Sequence, residues 1–554
     1  MYTSIRRARR AMAILALAGC ATTMGAAVGA NPAAADGPSP TVNVRVRNRT
    51  LFVDGGGASE LLTLRSPAAT PNLVTVDLGD DGTAEAAVER STFDQVVIRA
   101  GAGDDVVRID ETAGVAVPFT DTLPTKIEGG SGDDVMFGGS GAEDFRGGSD
   151  NDTVDGNRGN DTANLGAGDD EFIWDPGDGS DIIEGRGGID VMTFNGAAGA
   201  ENFAATANGR RMIFTRNVGN IVMDTNGVEQ VDLNALGGVD NLQVDDLRRT
   251  QVTAINVDEG GTLGVAAPDG AADSVTIVGT DRADTMVAAG AAGAVTVTGE
   301  SATVTVTDAD TIDTLVLSPL GGGDRVDASQ LGADTMKLSV LAGDGDDEVQ
   351  GGAGVDTLNA GPGRDFVDGN RGNDSADLEA GDDEFQWDPG DGSDVVEGRD
   401  GEDLMTFNGA AGAEIFAATA NGGRVAFTRN VGNILMDTDD VERIDLNALA
   451  GADLLTVNDM TGTDLTLLIA DLGAAIGTEG GDGAVDAITV LGTPGNDAIN
   501  VSGSPGAVLV SGLLTTVDIR DNEPTDTLTI AGNGGTDAVD SSGLDADTIQ
   551  LTII

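Results

Sequence analysis

The chain has 554 residues, no histidine, one cysteine, and 93 acidic against 30 basic residues, for a net charge of -63. Without histidine there is no Ser-His-Asp or Cys-His catalysis and no zincin-type metal site. A lone cysteine excludes a disulfide framework, and so negative a field argues against nucleic acid as a partner.

Residues 1–35 read as an export signal. Arg6, Arg7, Arg9 and Arg10 form a basic start, and Ala11–Ala18 is an apolar stretch too short to span a bilayer. Two processing sites compete. Ala33-Ala34-Ala35 before Asp36 fits the small-residue cleavage rule, while Leu17-Ala18-Gly19-Cys20 resembles a lipobox whose cysteine would be lipidated. Either version places the mature chain outside the cytoplasm, secreted or held at the cell surface through Cys20. Residues 36–128 follow as a β segment able to cap a stacked fold, with Thr41–Asp54 and Leu73–Asp77 as strands.

A nine-residue pattern, Gly-Gly-x-Gly-x-Asp-x-apolar-x, then recurs in two blocks, residues 129–193 and 342–406. Clean copies are Gly129–Phe137, Gly147–Asp155, Ala342–Gln350 and Gly351–Asn359. The sixth-place acids of the first block are Asp134, Glu143, Asp152, Asp161, Asp170, Asp181 and Asp190. Those of the second are Asp347, Asp356, Asp365, Asp374, Asp383, Asp394 and Asp403. Glycine permits positive φ and tight turns whose carbonyls point inward. The apolar eighth residue, such as Met136, Val154 or Phe172, points into a core from a short strand. A turn and strand every nine residues must stack on its neighbours, which predicts an all-β parallel β-roll or β-solenoid. A further copy, Ala100–Arg108, stands alone.

The blocks lie inside a tandem duplication. A shift of 213 residues lays Gly156–Leu247 on Gly369–Met460 without a gap, at about three quarters identity. Each block leads into a strand-rich segment, residues 194–341 and 407–554, with period-two alternation in Ala294–Thr307 and Ala507–Ile519. Two architectures suit these segments: longer, metal-poor coils on the same axis, or small β-sandwiches between rolls. The last strand, Asp547–Ile554, is apolar and predicts either self-association through that end or a fold-over cap.

The repeats resemble the RTX, or haemolysin-type, calcium-binding family. The resemblance implies that successive nonapeptides are successive half-turns of a roll, with a calcium ion between one loop and the loop two repeats on. It marks Asp134, Asp152, Asp161, Asp170, Asp181, Asp190, Asp347, Asp356, Asp365, Asp374, Asp383, Asp394 and Asp403 as metal ligands, and isolated copies as poor sites. The chemistry agrees with Ca2+, since the mature chain offers oxygen donors and calcium takes about six to eight of them. Columns of carboxylates one rung apart repel until a cation lies between them.

No catalytic domain stands apart from the repeats. The expected function is calcium binding by an exported, non-catalytic solenoid with a structural or adhesive role, and extracellular polysaccharide or cell-surface material as candidate partners. The alternative is a carboxylate-based polysaccharide-active enzyme on a β-helix. Trp174 and Trp387 are read as covering the roll where a two-residue insertion breaks the register, against stacking on a sugar. Phe214–Asn217 and Phe427–Asn430 are read as strand and turn rather than anion sites.

Overall fold

The computed structural model describes residues 40–111 and 118–554. The export signal and Cys20 lie outside the described residues. Strands alternate along the chain between two long sheets, and within a block every inter-strand pairing is parallel. In one sheet Glu143–Ser149 lies between Thr125–Ser131 and Thr162–Ala167, and in the other Thr153–Asp155 lies between Val135–Phe137 and Glu171–Trp174. Each nonapeptide is therefore half a coil.

Alternation of side chains across a strand decides what fills the space between the sheets. In the first block Met136, Val154, Phe172 and Met192 are in register on one sheet, and Ile127, Phe145, Ala163 and Ile183 on the other. All are buried. The second block repeats the arrangement with Val349, Val367, Phe385 and Met405 facing Val340, Leu358, Ala376 and Val396. The glycine at the repeat's second place lets coils touch through backbone. Gly148 has φ 132°, and a Cβ there would collide with the carbonyl of Gly130 in the preceding coil.

The strand-rich segments pair directly with the blocks and are longer coils of the same two sheets, not separate sandwiches. Their extra length goes into antiparallel meanders spliced into a sheet. Asn202–Asn208, Arg211–Arg216 and Ile221–Asn226 form one, with Ile221–Asn226 continuing parallel from Ile182–Gly187. Thr285–Ala291, Ala294–Thr298 and Thr303–Thr307 form another in the opposite sheet. Gly237–Val244 and Gly451–Val457, which carry only half of the motif, hold the strands Asn241–Val244 and Leu454–Val457. No α-helix occurs among the described residues, where three short 3-10 turns are the only helical elements.

Thr41–Asp54 departs from the single strand read in the sequence. It is a hairpin of Asn43–Arg47 with Thr50–Asp54, turned at Asn48 and Arg49, both with positive φ. The two-residue turn of this kind is usually announced by glycine, and Asn48-Arg49 lacks that signal.

Both tryptophans are buried. Trp174 stacks on Phe194 with ring centroids 4.1 Å apart, and its Nε1 donates to Gly179 O at 2.8 Å, inside the turn that the two-residue insertion creates. Trp387 repeats this with Phe407 and Gly392. Phe214 and Phe427 are likewise buried strand residues, and Arg216 and Arg429 hold Glu201 and Glu414.

Candidate metal centre

The sixth-place acids form ladders along the edges of the roll. The backbone N–H of Asp134 donates to Asp152 Oδ1 at 3.0 Å, that of Asp152 to Asp170 Oδ1 at 2.7 Å, and that of Asp170 to Asp190 Oδ1 at 3.0 Å. On the opposite edge Glu143 donates to Asp161 Oδ1 at 2.7 Å and Asp161 to Asp181 Oδ1 at 2.8 Å. In the second block Asp347, Asp365, Asp383 and Asp403 make one ladder, at 2.7–2.9 Å per step, and Asp356, Asp374 and Asp394 the other, at 2.8 Å. The thirteen aspartates marked in the sequence thus fall into four columns, two per block.

One carboxylate oxygen is consumed by the ladder. The other is buried and has no hydrogen-bond partner among the described residues at Asp134, Asp152, Asp161, Asp181, Asp190, Asp347, Asp365, Asp374, Asp383 and Asp403. Asp356 differs, because its Oδ2 accepts from the N–H of Gly352 at 2.6 Å. A buried carboxylate oxygen without a donor or a cation is costly. The second oxygen also has carbonyl neighbours. A Cβ on Gly129 would lie 2.7 Å from the carbonyl of Gly147 and collide with Asp134 Oδ2, and one on Gly351 would meet Gly369 O at 2.5 Å and Asp356 Oδ2 at 2.9 Å. The first glycine of the motif therefore borders a recess lined by a carboxylate of its own loop and a carbonyl of the next coil. An all-oxygen donor set of this mixture fits calcium.

Electrostatics point the same way. Burial is the main cause that pushes the carboxyl of Asp152 up to about 8. Its backbone donor opposes the shift, and Asp134, Asp170 and Asp133 add to it. Burial likewise raises Asp161 and Asp374, to about 9 and about 8, with Glu143 and Asp181 adding at the first and Asp356 and Asp394 at the second. No arginine or lysine forms an ion pair with Asp134, Asp152, Asp161, Asp181 or Asp190 among the described residues. A divalent cation would supply the missing charge.

The ladders also contain residues that the motif did not single out. The copy at Ala100–Arg108 is not isolated. Asp105 donates to Asp134 Oδ1 at 2.9 Å and Glu60 donates to Asp105 Oδ1 at 2.6 Å, so the column begins before the block. The sequence hides this because Asp105 precedes Asp134 by 29 residues rather than 18. The column closes at Glu229, whose Oε2 accepts from Asp190, and its counterpart closes at Glu442. Fifth-place residues form a more exposed ladder, with Asp133 donating to Asp104 Oδ1, Asn151 to Asp133 Oδ1 and Asp169 to Asn151 Oδ1. The recurrence of Asp or Asn before the sixth-place acid was the available signal.

With this geometry in place, comparison with known families is direct. The RTX calcium-binding nonapeptide repeat is present in four copies, at residues 126–142, 137–172, 176–193 and 341–384. No curated protein matches the chain. The chain thus carries RTX calcium-binding repeats within a two-sheet parallel β-roll.

Proposed function

We propose that the protein is an exported, non-catalytic solenoid that binds calcium and serves a structural or adhesive role at the cell surface or in a matrix. The metal ligands in this reading are the ladder aspartates, Asp134, Asp152, Asp161, Asp170, Asp181, Asp190, Asp347, Asp356, Asp365, Asp374, Asp383, Asp394 and Asp403, each with carbonyls of the glycine turns. The observation that carries the reading is the run of buried second carboxylate oxygens without donors, repeated coil after coil beside those carbonyls. Metal binding then becomes folding energy. Export is supported by the basic-apolar N-terminal stretch, and no helix of the described residues is long and apolar enough to cross a membrane.

Extracellular polysaccharide, cell-surface material and a second copy of the chain are the proposed partners. Trp174 and Trp387 are buried and give no platform for a sugar ring. A glycan partner would have to meet polar surface such as the groove of about 640 Å3 lined by Asp346, Arg364, Asp382, Glu402 and Arg443. Self-association would use the edge strand Gln550–Ile553, where Ile553 is half exposed. Incubation of the calcium-loaded protein with a glycan panel tests the reading. Retention without turnover supports an adhesive role and no retention a structural one, while turnover would overturn the non-catalytic assignment.

A further inference from the structure

Outside the nonapeptide blocks, in the first strand-rich segment, Glu259, Asp273 and Asp313 bring three carboxylates together with oxygens within 4.8 Å of one another. All three residues are buried, Glu259 at 3% exposure. The two aspartates are fixed by backbone donors. Asp240 N–H donates to Asp273 Oδ1 at 2.7 Å, and Asp313 accepts from Asp273 N–H at 2.9 Å and from Asp310 N–H at 2.6 Å. Glu259 is different. Its Oε2 has no hydrogen-bond partner among the described residues, and its carboxyl faces the two aspartates. Its hydrogen-bond neighbour is the carboxyl of Asp313, itself an acid, and a third buried acid in such company needs a proton or a cation to offset its charge.

The duplication supplies an internal control. Shifted by 213 residues, Asp273 and Asp313 become Asp486 and Asp526, but Glu259 becomes Leu472. The surrounding backbone is the same in both units. Glu259 N–H donates to Thr307 O, and Leu472 N–H to the corresponding Arg520 O. Gly260 bridges Pro268 as Gly473 bridges Gly481. Asp486 and Asp526 keep their ladder bond at 3.0 Å. The position is thus an apolar core site in one unit, and the glutamate in the other is not demanded by the fold.

We propose that Glu259, Asp273 and Asp313 form an additional site for a hard divalent cation of the calcium type, present in the first unit and absent from the second. Three carboxylates and no nitrogen or sulfur donor match that class of ion. The loop of residues 259–273, with Leu263 and Val265 exposed, carries Glu259 and Asp273 at its two ends and should tighten when the ion binds. The site does not use the nonapeptide aspartates, so its failure would leave the reading of the blocks intact.

Hydrogen exchange on the full chain, in calcium chloride and in chelator, tests this. With calcium about 100-fold above the dissociation constant, local opening of 259–273 should slow by about 100-fold. Glu259→Leu, which installs the residue that the second unit carries, should abolish the part of this protection that exceeds the protection of loop 472–486, and leave calcium protection of residues 129–193 unchanged. Leu472→Glu should bring calcium-dependent protection to 472–486. Equal calcium protection of the two loops in the unaltered protein, or protection of 259–273 that persists in Glu259→Leu, would overturn the proposal.

Discussion

The backbone N–H of Asp152 donates to Oδ1 of Asp170, eighteen residues further on, at 2.7 Å. One aspartate thereby does two things. Its N–H reads the next coil, and its own carboxylate is read by the coil before, where Asp134 N–H meets Asp152 Oδ1 at 3.0 Å. The second oxygen of Asp152 is left buried beside the glycine turns. The ladder organises the backbone, and the leftover oxygens create the need for a cation.

Calcium should therefore fold or strongly stabilise the blocks. In chelator, the columns of buried carboxylates repel one another. Millimolar calcium should raise the melting temperature and strengthen strand circular dichroism, and magnesium at equal concentration should do less because it demands a stricter octahedron. Trp174 and Trp387, each buried on a phenylalanine beside a block, should report the transition by fluorescence. Melting curves indifferent to calcium and chelator would remove the basis of the proposed function.

The pH dependence has a definite sign. The carboxyls of Asp152, Asp161 and Asp374 sit at about 8, about 9 and about 8 in the folded chain, against an ordinary 3.8. Groups raised on folding bind more protons when folded, so the metal-free roll loses stability as pH rises from about 4 through 9. Melting in chelator should give a higher midpoint at pH 5 than at pH 8. Calcium competes with those protons, so its affinity should rise over the same window and its binding should acidify a weakly buffered solution. Calcium affinity flat between pH 6 and pH 9 would contradict this.

Asp152→Ala should weaken calcium binding to the first block and destabilise it. The substitution removes an anionic oxygen and leaves the Asp134 N–H without its charged acceptor, a loss of about 1.5–3 kcal/mol. Glu89, an exposed residue outside the ladders whose carboxylate accepts from Asn72 Nδ2, is the control. Glu89→Ala should leave calcium titration curves superimposable on those of the unaltered protein, and equal effects of the two substitutions would break the link between ladder register and metal.

The sequence made the roll, the duplication and the ladder aspartates legible, because sixth-place acids and eighth-place apolar residues recur at fixed spacing where coils have constant length. It failed where coil length varies. Asp105 occupies the same ladder as Asp134, but the chain inserts residues between them, and the ladder bond depends only on position around the coil. The meander of Asn202–Asn226 has the period-two pattern of any strand, so nothing in it distinguishes antiparallel return from parallel stacking. Glu259 lies outside the nonapeptides and is replaced by Leu472 in the second unit, and only the folded chain brings it to Asp273 and Asp313.

Glycine substitutions should separate close coil contact from mere composition. Gly148→Ala places a Cβ against the carbonyl of Gly130 at a φ of 132°, and should cost about 2–5 kcal/mol from strain and overpacking together. Gly187, in the next coil but one, has open space around its Cβ position. Gly187→Ala should change the melting temperature by little. Similar midpoints for the two variants in calcium would mean that the coils do not approach as closely as the Gly148–Gly130 contact requires.

The junction between block and strand-rich segment rests on a buried ion pair. Arg216 Nε donates to Glu201 Oε1 at 2.6 Å, its guanidinium lies 5.3 Å from the centre of the Trp174 ring, and the N–H of Glu201 continues the ladder to Asp240 Oδ1 at 2.8 Å. The second unit repeats this with Arg429, Glu414, Trp387 and Asp453. Arg216→Met leaves Glu201 charged and buried without its partner, which should cost about 3–5 kcal/mol. Adding Glu201→Gln removes the uncompensated charge, so the double variant should recover part of that loss. Urea melts in saturating calcium on the two single variants and the double variant give the coupling between the side chains. Additive effects would mean that Arg216 contributes packing on Trp174 alone, whereas recovery in the double variant assigns the stability of the junction to the charge pair.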